Sequence, residues 1–116
     1  MKLNYDLVRD LLLLIEEKSD GHKNFSLFFF FDEIPNYSKD SIDYHLKYLH
    51  DANLIECTDN YDYVIDITPY GRDYLNNIRN DGIWQSTKEK FQPLGSVTLS
   101  VVSEIAKSLL LKQLGL

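Results

Sequence analysis

The stretch "YSKDSIDYHLKYLHDANLIE", Tyr37 to Glu56, constrains the fold more than any other. Ser38 is a helix-capping residue type. Ile42, Leu46 and Leu49 then fall at i, i+4 and i+7, the spacing of one helical face. Asn53 stands where a helix that runs to about Ala52 needs a left-handed residue to end, a place usually taken by glycine and next by asparagine. "LIECT" and "YVIDI" follow as two short strands joined by the turn-forming "DNYD". A helix that feeds at once into a hairpin leaves few chain paths. The tip of that hairpin carries Asp59 and Asp62.

The flanking segments complete an order. "NYDLVRDLLLLIEEKSDG" reads as a first helix, capped by Asn4 and ended before Gly21. Leu7, Leu11, Leu14 and Ile15 form its inner face, and Val8 and Leu12 broaden it. In "NFSLFFFFDEIPNY" four consecutive phenylalanines have no helical stripe and the run stops before Pro35. Residues 24–37 therefore read as a short buried strand and a turn, with the aromatics as core. Thr68 as cap and Pro69 at the first helical position open another helix, with Tyr70, Tyr74, Leu75 and Ile78 on its apolar side. Asp81-Gly82 breaks it before "IWQSTKEKF", and Pro93 and Gly95 mark a turn. A last helix runs from about Thr98 to Gln113 with Leu99, Val102, Ile105, Ala106, Leu109 and Leu110 inward.

The expected fold is α+β and mostly helical: a winged-helix variant with a small antiparallel hairpin wing and extra C-terminal helices. The second helix of a helix-turn-helix is what the pattern lacks. A chain of 116 residues with no repeat, linker or low-complexity tract fits a single domain over 1–116. Its core would span about 4–80, and its helical extension about 83–114.

Composition narrows the function. The longest apolar run, Leu27 to Phe31, is far too short to span a bilayer, and the N-terminus has no signal-peptide pattern. A single cysteine, Cys57, excludes an internal disulfide and suits a reducing compartment, so the expectation is cytoplasmic. The net charge of −6 is unevenly spread. Residues 1–66 hold fourteen Asp/Glu against six Lys/Arg, while residues 67–116 hold four against six.

"NYDLVRDLLLLIEE", "YHLKYLHDANLIE", "ITPYGRDYLNNIRNDGIWQSTKEK" and "EIAKSLLLKQLGL" together resemble the domain-of-unknown-function family 2513, across nearly the whole chain. That resemblance implies a small bacterial protein of phage or prophage origin with a winged-helix-like domain. It supplies no activity, ligand or catalytic residue. The stretch "HLKYLHDANLIE" to "ITPYG" also looks like the recognition helix and wing of multidrug-resistance and phenolic-acid repressors. Many of those have glycine where this chain has Asn53.

With Ile42 at the centre of the buried face and about 100° per residue, Asp40, Asp43, Tyr44, Lys47, Tyr48 and Asp51 point outward, with Lys39 near the helix start. The lysines could touch phosphates and the tyrosines could pack on sugars. The three aspartates oppose double-stranded DNA, and the wing adds Asp59, Asp62 and Asp66 with no Lys or Arg. His22, His45 and His50 have no metal-site spacing, and His45 reads as a structural residue bonded to nearby backbone. "DNYDYVID" lacks the glycine and closing glutamate of a calcium loop, and Cys57 reads as a small buried hydrophobe. No catalytic or phosphate-binding motif is present, so the expectation is a non-enzyme without metal or cofactor. Trp84, Leu109, Leu110 and Leu114 are candidates for a homodimer interface, against the plainer reading that Trp84 packs internally. Two functions follow: a DNA-binding transcriptional regulator, or an acidic protein-binding module that inhibits or redirects a host nucleic-acid enzyme.

Overall fold

The computed structural model describes residues 1–116. Helix α1 (Tyr5–Lys18) begins at Asn4, whose side chain accepts a hydrogen bond from the Leu7 amide. Strand β1 (Phe25–Ser26) leads directly into α2 (Leu27–Glu33), and α3 (Lys39–Asp51) follows under a Ser38 cap. Strands β2 (Ile55–Cys57) and β3 (Tyr63–Ile67) form the hairpin. Helices α4 (Pro69–Ile78), α5 (Asp81–Phe91) and α6 (Leu99–Gln113) complete a mostly helical α+β chain. The strands make one antiparallel sheet in the order β1-β3-β2, with a register shift between Glu56 and Cys57. No helix is long and apolar enough to cross a membrane.

The chain separates into two compact units, Met1–Arg72 and Asp73–Leu116, and the division falls inside α4. In the first unit α1 packs on α3 and β3, and α2 packs on α3 and β1. Leu7, Val8, Leu11, Leu12 and Ile15 are wholly buried, whereas Leu14 is only half-buried. In the second unit α5 packs on α6, and Trp84, Phe91, Leu99, Val102 and Ala106 are buried. Tyr70, expected on the apolar side of α4, is 48% exposed.

Residues 24–37 correct the expectation of a strand. Only Phe25 and Ser26 pair with β3; the Ser26 hydroxyl then accepts from the Phe29 amide and caps a two-turn helix. A serine at that point offers the chain a helical start, and four adjacent aromatics have no period that would oppose it. Phe30 is buried and Phe28 is 74% exposed, so the expected aromatic core holds for the first and fails for the second. The chain therefore has a short helix, α2, where its sequence pattern suggested none.

Two long-range devices hold the first unit. Helix α3 ends with Asn53 at φ 66°, the Leu54 amide donating to the Leu49 carbonyl and the Asn53 amide to the His50 carbonyl. This six-to-one and five-to-two pairing is the glycine-type helix stop, here carried by asparagine as its position in the sequence suggests. Thr68 returns to the same place. Its amide donates to the Leu54 carbonyl at 3.1 Å and its hydroxyl to the Asn53 carbonyl at 2.6 Å. That hydroxyl also accepts from the Gly71 amide. Gly71 lies so close that a Cβ there would strike the Leu54 carbonyl oxygen and meet Ile67 Cγ2 at 2.8 Å.

The second device is His45, wholly buried, with Nδ1 2.7 Å from the Ser41 carbonyl and Nε2 accepting from the Asn4 amide at 2.8 Å. A carbonyl cannot donate, so Nδ1 carries the proton and the ring is neutral. It ties the start of α1 to the middle of α3. Burial is the main force holding its pKa below the ordinary 6.5, against the bond to Ser41.

Gly71→Ala is expected to destabilise the chain by at least about 2 kcal/mol in urea unfolding, because the clash is with backbone and has no rotamer that relieves it. The His45 linkage has a defined sign. As pH falls below about 6.5 the unfolded chain takes up a proton that the folded chain refuses, so stability present above that pH is lost by up to about 1.4 kcal/mol per pH unit. His45→Leu should flatten this dependence between pH about 7 and 5.5 while lowering stability by about 1–3 kcal/mol, the penalty of an unpaired Asn4 amide.

Candidate functional site

Helix α3 presents the face that the spacing predicts. Ile42, His45, Leu46 and Leu49 are buried, Lys39, Asp40, Tyr44, Lys47 and Asp51 are exposed, and Asp43 and Tyr48 are half-buried. Its two cations are already engaged. Lys47 Nζ pairs with Asp43 Oδ2 at 3.1 Å, one turn back along the helix, and Lys39 Nζ lies 5.6 Å from the centre of the Phe31 ring. From Ser26 to Tyr63, eight carboxylates stand against these two lysines. The side chains of Asp40, Asp59 and Asp62 make no hydrogen bond or ion pair.

The hairpin turn folds back onto α3. Asn60 and Tyr61 both take positive φ, 64° and 60°, within a 3₁₀ turn at Asp59–Tyr61. Thr58 closes the turn: its amide donates to the Tyr63 carbonyl, its hydroxyl accepts from the Tyr63 amide, and its carbonyl accepts from the Tyr61 amide. Left-handed geometry is uncommon for a bulky residue such as tyrosine. It is offset by the contacts of that side chain. The Tyr61 hydroxyl donates to Asp51 Oδ1 at 2.6 Å, and its ring meets His50 edge to face with centroids 4.9 Å apart. This bond is the main reason the Asp51 carboxyl is held below the usual carboxylate range and the Tyr61 phenol above its ordinary value. The spacing analysis missed Tyr61; an aromatic inside the turn-forming "DNYD" was its only signal.

Two grooves flank α3 within this unit. One of about 510 Å³ is lined by Tyr44, Lys47, Tyr48, Asp51 and Ala52. The other, of about 410 Å³, lies toward the start of α2 and the hairpin, where Phe28, Asp43, Tyr61, Asp62 and Tyr63 border it. The exposure of Phe28 was illegible in the sequence, since a strand reading sends alternate aromatics inward.

Other candidates are structural. Both ring nitrogens of His45 are taken, and no group of three or more His, Cys, Asp or Glu is placed to hold a metal ion. Burial, with Asp51 as a lesser cause, pushes the Cys57 thiol up to about 11, which leaves it a poor nucleophile at neutral pH. In the second unit Trp84 is 4% exposed, beside Phe91 and with Lys88 Nζ 5.7 Å from its ring centre, so it cannot serve as a surface anchor. Leu109 and Leu110 are half-buried and Leu114 is 72% exposed.

Comparison with known proteins adds lineage. The family described as "Hypothetical protein (DUF2513)" matches residues 2–98. An uncharacterized protein of Haemophilus influenzae (strain ATCC 51907 / DSM 11121 / KW20 / Rd) is 28% identical over 122 residues, covering 98% of this chain and 99% of its own. No solved structure matches the chain.

Tyr61→Phe is expected to leave global stability almost unchanged while speeding amide exchange over 59–62 about fivefold, because one exposed hydrogen bond is removed and the turn strain stays. Unchanged exchange at those amides would mean that the tyrosine hydroxyl does not hold the turn.

Proposed function

We propose, for a chain that belongs to the DUF2513 family, a non-enzymatic winged-helix regulatory protein whose α3–hairpin face docks on a partner protein and not on duplex DNA. The order α1-β1-α2-α3-β2-β3, with the sheet order β1-β3-β2, supports the winged-helix reading. In that reading α3 is the recognition helix and the β2–β3 hairpin is the wing. The observation that carries the choice of partner is electrostatic: residues 26–63 hold eight carboxylates and two lysines, and both lysines have partners.

Magnitudes favour protein over DNA. A duplex reader that neutralises about six to ten phosphates owes most of its affinity to released counterions. This face could neutralise about two, and only after Lys47 leaves Asp43. The carboxylates would repel the remainder. The same charge suits the cationic groove of a protein that handles nucleic acid, which the face would occupy as a phosphate mimic. The setting we infer is the cytoplasm of a bacterium, with the gene carried by a phage or prophage and the partner a host enzyme. Pairing of two copies through the exposed end of α6, at Leu111 and Leu114, belongs to the same reading.

A second reading, duplex binding by α3, is favoured by Lys39 in the first turn and by the exposed Tyr44 on the same helix. Fluorescence anisotropy with random duplex at about 50 mM salt separates the two. The native chain should not bind, and the variant Asp40→Lys with Asp43→Lys should gain salt-sensitive binding. Native binding that falls as salt rises and is lost on Lys39→Ala with Lys47→Ala would establish the DNA reading instead.

A further inference from the structure

The groove between the start of α2 and the hairpin is walled partly by apolar and partly by charged side chains. Phe28 is 74% exposed and stacks edge to face on Phe31, and Tyr63 is 46% exposed. Both border the groove of about 410 Å³, along with Leu27. A much smaller recess that shares Leu27, Asp43 and Asp62 with it is also lined by Phe25, Leu46 and Val64. Exposed large aromatics grouped at a concave surface are a recurrent mark of a binding site. The same lining carries Asp62, Asp43 and Lys47; Asp43 and Lys47 neutralise each other as an ion pair, and the Asp62 side chain has no ionic or hydrogen-bonded partner.

This mixed lining restricts the occupant. A purely apolar ligand would strip water from Asp62 without compensation, and an anion or phosphate backbone would be repelled. An ammonium is compact and strongly hydrated, so it suits the carboxylates but gains less from the rings. A guanidinium is flat, weakly hydrated and five-donor; it stacks on aromatic faces and pairs with carboxylates in a fork. Its aliphatic stem can lie along Leu27.

We propose that this groove takes an arginine side chain from a basic segment of the partner protein, stacked against Phe28 and Tyr63 and paired with Asp62. The inference rests on the protein-docking reading of the α3–hairpin face and adds the chemistry of the residue it recognises.

The probes are two labelled hexapeptides, one alternating arginine with leucine and one alternating lysine with leucine, titrated by anisotropy into the full chain at low salt. The arginine peptide should bind about fivefold more tightly than the lysine peptide. Phe28→Ala and Asp62→Asn, both surface changes, should each weaken it about fivefold, and Glu17→Gln, on the exposed side of α1, should leave it unchanged. Equal binding of the two peptides, equal weakening by Glu17→Gln, or no binding would overturn the proposal. So would competition for the site by random duplex. If the peptide fails while a partner protein is still retained through α3, the groove proposal falls and the docking reading stands. If the peptide binds and no protein is retained through α3, the docking reading falls and takes this inference with it.

Discussion

The carbonyl group of Leu54 is the joint on which the first unit turns. It follows immediately on the left-handed Asn53 that stops α3, and it accepts the amide of Thr68, where β3 gives way to α4. Gly71 is packed against it so closely that no side chain fits. One backbone group thus fixes the exit of α3, the start of β2 and the entry of α4. Everything about the candidate face depends on this, because the hairpin can lie beside α3 only if both of its ends are pinned at the foot of that helix. His45 performs the matching task inside the unit, setting α1 against α3 through a neutral imidazole with both nitrogens bonded.

These joints differ in how far they could be read from residue types. Asn53 was legible because few residues accept positive φ and its place after an i, i+4, i+7 triplet leaves it one task. Thr68-Pro69 was legible for the same reason, as a cap and a ring that suit a helix start. The four phenylalanines were not, because a contiguous apolar run has no period, and what decided them was the hydroxyl of Ser26. Once α2 is a helix, its successive residues are turned by about 100° and Phe28 must leave the core that Phe30 enters. The Tyr61–Asp51 bond joins residues ten apart through a strained turn, a geometry that no spacing rule encodes. Trp84 went to the core, as the plainer of two readings had it.

Shape and charge pull in different directions on this surface. The proposed winged-helix reading rests on the element order and sheet order, and in it α3 would be the helix that faces DNA. The side chains at those positions are of the wrong sign for phosphate, and the two that are right are engaged by Asp43 and Phe31. The hairpin brings Asp59 and Asp62 and no cation. Its tip is tied to Asp51 through the Tyr61 hydroxyl. Affinity for DNA draws heavily on phosphate neutralisation, so charge outweighs shape here. Exposed aromatic residues beside uncommitted carboxylates instead suit a basic protein surface.

The most direct measurement places a photo-crosslinking residue at position 44, on the exposed face of α3, and activates it in living bacteria. The adduct is then split between protease and nuclease digestion. The account predicts a discrete product that protease removes and nuclease leaves intact. An adduct that nuclease removes, or no adduct at all, would contradict it.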